Sequence, residues 1–175
     1  MNRRLIYGLL LSAMVGVYLV MLLWSLPRLR LMAGGLEPFD LRPAGYSLAE
    51  AQALLTALGD EGRAFYLGVQ HWLDTAFPAL LASVLFWTFR ALVPGWHGLV
   101  LGGLAAVPGP GLDVLENARV AVLLRAGPEA ITADQVAAAS AASLGKSFAV
   151  TLALVALTGA LAAWVWRHRG GERPA

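Results

Sequence analysis

Arg63, Tyr66, Gln70 and Asp74 follow one another at spacings of three, four and four. On a helix such residues share one face, because positions three and four apart are surface neighbours. Asp113, Glu116, Asn117 and Arg119 form a second group of this kind. There Asp113 neighbours Glu116 and Asn117, and Glu116 neighbours Arg119. Lys146, with Ser143 and Ser147 beside it, enters a long apolar run. Such a set can hold a cation or a proton on its carboxylates, or divide acid and base roles between two of them. A lysine ammonium can balance the acids or stabilise a developing anion. Two acids three residues apart repel each other. Either cations offset them, with Arg119 and Lys146 the candidates, or one acid keeps its proton. Inside a membrane span each charge costs about 2.5–3.5 kcal/mol, so it faces protein or water. The set is then a functional site or an ion-pair network that fixes helix packing.

Other chemistry is scarce. Cys is absent, which removes disulfides, thiolate nucleophiles and Cys-held metals. His71, His97 and His168 are too few and too dispersed for a His-rich di-iron centre. No metal and no cofactor is expected. His71, beside the Asp74 face, reads as an interfacial surface residue more readily than as a proton relay. Leu144-Gly-Lys-Ser147 lacks the earlier glycine and the strand of a phosphate loop. Neither a Gly-x-Ser-x-Gly elbow nor a His-Glu-x-x-His helix occurs. Gly98 and Gly102-Gly103 read as sites of close helix packing.

The elements that carry these residues follow from composition. Of 175 residues, 58% are hydrophobic and 14% charged. Soluble domains run at about 45–50% apolar and about 25% charged. A disordered chain is excluded, and an ordinary soluble enzyme does not fit. Thirteen basic residues against eleven acidic ones give a net charge of +2. They form no basic cluster, so no nucleic acid is expected as a partner.

A membrane span needs about 20 apolar residues. Residues 5–26, 76–93, 98–124 and 148–166 supply four, and predict an all-α, four-transmembrane-helix bundle forming one domain over 1–175. Met1-Asn-Arg-Arg4 resembles the start of a signal peptide. The apolar stretch behind it is too long, and Pro27-Arg-Leu-Arg30 is no cleavage site, so the first span reads as an uncleaved anchor. Pro108-Gly-Pro-Gly111 interrupts the third span, which is read as one kinked helix, with a re-entrant pair of half-helices as the alternative. The short flanks carry Arg3, Arg4, Arg90, His97, Arg167, Arg169 and Arg173, which points both termini to the cytoplasm. Trp24 and Trp72 then mark the outer interface, and Trp87, Trp96, Trp164 and Trp166 the inner one.

The outer segments, 27–75 and 125–147, carry their own helix signals. Ser47-Leu-Ala-Glu50 is a capping box. Leu48, Ala51, Leu54, Leu55 and Leu58 follow at helical spacing, and Gly59 suits a C-terminal cap. This predicts a short amphipathic outer helix between spans one and two. Its polar face lacks Lys and Arg, which favours the bundle mouth over a lipid surface. Asp60-Glu61 start a helix that runs into the second span. Thr132-Ala-Asp-Gln135 is a second capping box, and its Ala- and Ser-rich helix continues through Lys146 into the fourth span. Three spans thus bring polar groups to one depth. The candidate site is Arg63, Tyr66, Gln70, Asp74, Asp113, Glu116, Asn117 and Lys146.

Asp40-Leu-Arg-Pro-Ala-Gly-Tyr-Ser47, Leu58-Gly-Asp-Glu-Gly-Arg63, Tyr66, Leu73-Asp74-x-x-Phe77-Pro78 and Asp113-x-x-Glu116-Asn117 carry a resemblance. Over most of residues 40–117 the chain resembles a group of uncharacterised small bacterial integral membrane proteins with four helices. The resemblance implies a bacterial inner-membrane location, and that Asp74, Asp113, Glu116 and Asn117 belong together. It brings no activity with it. Three functions follow from the residues. The first is binding of a cation, proton or polar head group at an acidic outer mouth, for transport or sensing. The second is a lipid-active enzyme using carboxylates, and the third a scaffold in a membrane complex. The bilayer is the expected partner, with a homo-oligomer or a membrane-complex partner beside it.

Overall fold

The structure is a computed structural model that describes residues 2–169; Arg173 lies outside them. Among the described residues there are helices and no strands. Four helices are long and apolar enough to cross a membrane: α1 over Arg3–Met32, α2 over Leu48–Leu92, α3 over Gly95–Ala126, and α4, whose helix spans Ala133–Arg169. Tyr7 of α1 shares a hydrogen bond with Thr88 of α2 at 2.9 Å, and Arg167 donates to the Leu92 carbonyl at 2.8 Å. Both described ends of the chain therefore meet at one end of the bundle, here the proximal end.

The first helix outruns the predicted span. It continues past Leu26 through a π turn, Met21–Ser25, to Met32. Pro27 does not stop it. In the turn just before, the Leu26 N–H bonds to the carbonyl of Met21, five residues back. The ladder is already shifted where proline supplies no donor. The second helix bends where the sequence signals it. Gly59 has φ +59°, a conformation suited to glycine, and the chain turns there between the amphipathic segment and the helix that descends to Leu92.

α3 is a single path with a break at Val107. Pro108 and Pro110 offer no N–H to the carbonyls one turn back. Before the break, Gly98 and Gly102 lie against the α2 backbone at Val93, Phe89 and Phe86. After it, Asn117 still reaches α2, at the Asp74 carbonyl. Along α4, Ala105 clusters with Ala153, Gly109 faces Val150, and Asp113 meets Lys146. The antiparallel register is the same on both sides of the break. The halves form one kinked helix, not a re-entrant pair.

The principal core sits at the distal end. The predicted capping box is present: Ser47 N–H donates to Glu50 Oε2 at 2.7 Å, and Glu50 N–H donates to Ser47 Oγ at 3.3 Å. It starts the amphipathic segment whose Ala51, Leu54, Leu55 and Leu58 are buried with Leu123, Leu124, Ile131 and Val136. That segment therefore lies on the bundle mouth. Leu29, Phe39 and Tyr46 close the same core. The 37 residues of α4 make a helix of roughly 55 Å, longer than an apolar bilayer core of about 30 Å. Its distal third belongs to this distal layer.

Candidate functional site

Pro78 sets the first constraint. It lies inside α2 and cannot donate to the Asp74 carbonyl one turn back. Asn117 of α3 fills the gap. Its Nδ2 donates to Asp74 O at 3.2 Å and to Asp113 Oδ2 at 3.2 Å. One side chain thereby ties the proline break of α2 to the acidic face of α3. Gln70, fully buried, donates from Nε2 to Asp74 Oδ1 at 2.8 Å. Its Oε1 has no hydrogen-bond partner among the described residues.

Lys146 supplies the cation. Its Nζ lies 3.0 Å from Asp113 Oδ1 and pairs with the Glu116 carboxylate as well. The Ser143 hydroxyl, one turn before Lys146, donates to the other Glu116 oxygen. Glu116 is fully buried and Asp113 nearly so. Their repulsion is therefore offset by one shared ammonium and one hydroxyl, which is the arrangement a buried acid pair requires.

A π turn over Tyr66–Gln70 lies in α2 just above Asp74. Such turns insert one residue into the helical repeat and often mark functional sites. This one faces the π turn of α1. Tyr66 is buried and donates from its hydroxyl to Asp40 Oδ2 at 2.7 Å, while Asp40 N–H donates back to the Tyr66 oxygen at 3.3 Å. Behind it, Tyr46 N–H donates to Ser140 Oγ at 2.9 Å. Burial pushes the Tyr46 phenol above its ordinary pKa, so it stays neutral.

The structure brings together Tyr66, Gln70, Asp74, Asp113, Glu116, Asn117 and Lys146. It does not bring in Arg63. That side chain folds back onto its own turn, donating to the Gly59 carbonyl at 3.2 Å and pairing with Asp60, beneath Gly127. The nearest carboxylate and an open carbonyl at the Gly59 bend hold it at the distal rim. Arg119 is exposed and offsets neither acid. Asp40 is the residue that helical spacing could not reveal. It lies in a short 3-10 turn, Phe39–Leu41, outside every periodic segment. Its only sequence signal is its place in the Asp40–Ser47 motif.

Asp40, Asp74, Asp113 and Lys146 line one end of a cleft of about 480 Å³. Its other walls are apolar: Tyr18, Met21 and Leu22 from α1, Phe77 and Leu81 from α2, Val150 and Leu154 from α4. The helices α1 and α4 do not pack along one another, and the cleft lies between them. Three carboxylates and one ammonium thus sit at the head of an apolar groove, and Glu116, outside the lining, pairs with the same ammonium. Asp113 and Glu116 share Lys146, whereas Asp40 accepts from the Tyr66 phenol and Asp74 from the Gln70 amide, with no ion pair at either among the described residues. Among the described residues no group of three or more acids and histidines is arranged to hold a metal ion. Comparison with known proteins finds no matching family, no matching curated protein and no matching solved structure.

Proposed function

We propose that the chain is a multi-pass protein of the bacterial inner membrane that binds a cationic amphiphile in this cleft. Its four long helices cross the bilayer with both termini in the cytoplasm, and the cleft opens sideways to the outer leaflet. An amine or similar cationic head group pairs with Asp40 and Asp74, and its tail lies along the apolar walls. The observation that carries this reading is the pairing of two cation-free carboxylates with an apolar groove in one cavity. A bare cation would need the acids but not the groove. A neutral lipid would need the groove but not the acids. The exposed rows of α1 and α4, including Leu9, Leu23, Phe148 and Val155, support lipid contact. The arginine flanks of the proximal end support the orientation.

Native mass spectrometry from phosphatidylcholine nanodiscs tests the reading. Dodecylamine is expected to be retained, and dodecanol and ethylamine are not. Asp74→Asn and Asp40→Asn should each weaken retention at least about tenfold, because truncating one partner of a buried charge pair costs about 2–5 kcal/mol. Equal retention of the alcohol, or unchanged binding in both variants, overturns the proposal.

A further inference from the structure

The charges of this molecule are segregated. Residues 2–36, 75–112 and 135–169 contain no Asp or Glu. At the proximal end these segments place Arg3 and Arg4 at the start of α1 and Arg90 near the end of α2. The three arginines line one cavity of about 340 Å³, together with Tyr7, Trp87 and Ala91. The hydrogen bond between Tyr7 and Thr88 fixes the register of the two helices beside it. The ion pairs of the described residues join Arg30 to Glu37, Arg63 to Asp60, and Lys146 to Asp113 and Glu116. None involves the proximal arginines. Arg90 spends one N–H, from Nη1, on the Gly95 carbonyl at 3.2 Å, which orients its guanidinium and leaves the remaining donors without a partner among the described residues.

We infer that this cavity binds a phosphate group, supplied by an anionic phospholipid or by free phosphate. Three guanidinium groups with no acid nearby among the described residues leave a strong local positive field. Their planar forks match phosphate oxygens two at a time. Trp87 supplies an amphipathic wall of the kind that sits at head-group level. A polybasic end beside a membrane surface attracts anionic lipid. A walled cavity adds what a loose basic patch lacks, a fixed position for one phosphate. The inference is independent of the acidic cleft, which shares no lining residue with this cavity and takes the opposite charge.

The test uses the full chain in phosphatidylcholine nanodiscs, with and without phosphatidic acid, and lipid retention read by native mass spectrometry. A parallel arm adds inorganic phosphate to discs of phosphatidylcholine alone. Wild type should retain phosphatidic acid over phosphatidylcholine. Arg90→Gln and the double variant Arg3→Gln, Arg4→Gln should each reduce that retention at least about fivefold, the scale of losing a charge-assisted hydrogen bond. Arg90→Lys keeps the charge but not the fork, and should fall between. Arg125→Gln, an exposed distal change, should leave retention unaltered. Retention of phosphatidic acid without phosphate binding assigns the site to lipid, and binding of both assigns it to the phosphate itself. No preference for phosphatidic acid in wild type, or an equal loss in Arg125→Gln, overturns the inference.

Discussion

The distal and proximal halves of the bundle use the same apolar residue types in opposite ways. At the distal end Leu29, Phe39, Leu54, Leu55 and Leu123 are fully buried against one another. Along residues 3–20 of α1 no residue is buried. The proximal cluster is small, with Leu85, Phe89, Ala105 and Ala153 at its centre. The distal half therefore builds its own interior, as a soluble domain does. The proximal half leaves its leucines outward, where the proposed bilayer supplies the apolar surroundings. The polar site lies at the junction. It has enough protein around it to be buried, and an open flank between α1 and α4 where the proposed ligand would enter.

The sharpest way to break this contrast is to remove the one cation of the junction. Lys146→Met leaves Asp113 and Glu116 buried without a counter-charge. Deleting one partner of a buried pair costs about 3–5 kcal/mol. Unfolding in mixed micelles should show a loss on that scale, and Asp113→Asn with Glu116→Gln in the same chain should restore most of it. A Lys146→Met protein as stable as wild type would mean that the acids are not confined there as charges.

The next effect compares the halves directly. Leu55→Ala opens a cavity in the distal core and should cost about 2–5 kcal/mol. Leu23→Ala, at a side chain that is 72% exposed, should stay within about 0.5 kcal/mol. Equal losses at the two positions would erase the distinction between an interior made by protein and one made by lipid.

A smaller effect isolates the proline link. Asn117→Ala should cost about 1–3 kcal/mol, because the Asp74 carbonyl loses the Asn117 donor. Pro78→Ala restores a backbone N–H to that carbonyl. In the double variant the loss at position 117 should therefore shrink. A cycle with no coupling would show that Asn117 acts through Asp113 alone.

These cases also show what could be read without coordinates. Helical spacing found Tyr66, Gln70 and Asp74, since all three lie on one buried face of α2. It also assigns Arg63 to that face, but the Arg63 side chain does not reach the other three. Spacing records which direction a residue leaves the helix, not where a long side chain ends. Arg63 reaches back to the Gly59 bend because the nearest carboxylate, Asp60, is there. Arg119 offsets neither acid because it is exposed, whereas Glu116 is buried. Capping signals fared better, because Ser47 with Glu50 and Thr132 with Gln135 act within one turn. Asp40 was out of reach. Its partner Tyr66 is 26 residues away, and no local pattern encodes that distance. The path of α3 was legible only as two alternatives, since prolines report a break but not what lies beyond it.

The smallest expected effect uses a device both halves share. Ser47 caps the amphipathic segment, and Asn2 caps α1 by accepting a bond from Arg4 N–H at 3.1 Å. Loss of such a cap typically costs about 1 kcal/mol. At Ser47 the full cost should appear. The segment it starts ends at the Gly59 bend, and a helix that short depends on its cap and on the core beneath it. Ser47→Ala should speed hydrogen exchange at the amides of residues 48–55, and loosen Leu54 and Leu55 over the distal core. At Asn2 the same substitution should fray one turn and leave exchange unchanged beyond it. There α1 is long, and its start is fixed by the Tyr7–Thr88 bond rather than by buried residues. If the two substitutions instead spread equally far along their helices, the distal layer would not be the separately folded unit that its packing describes.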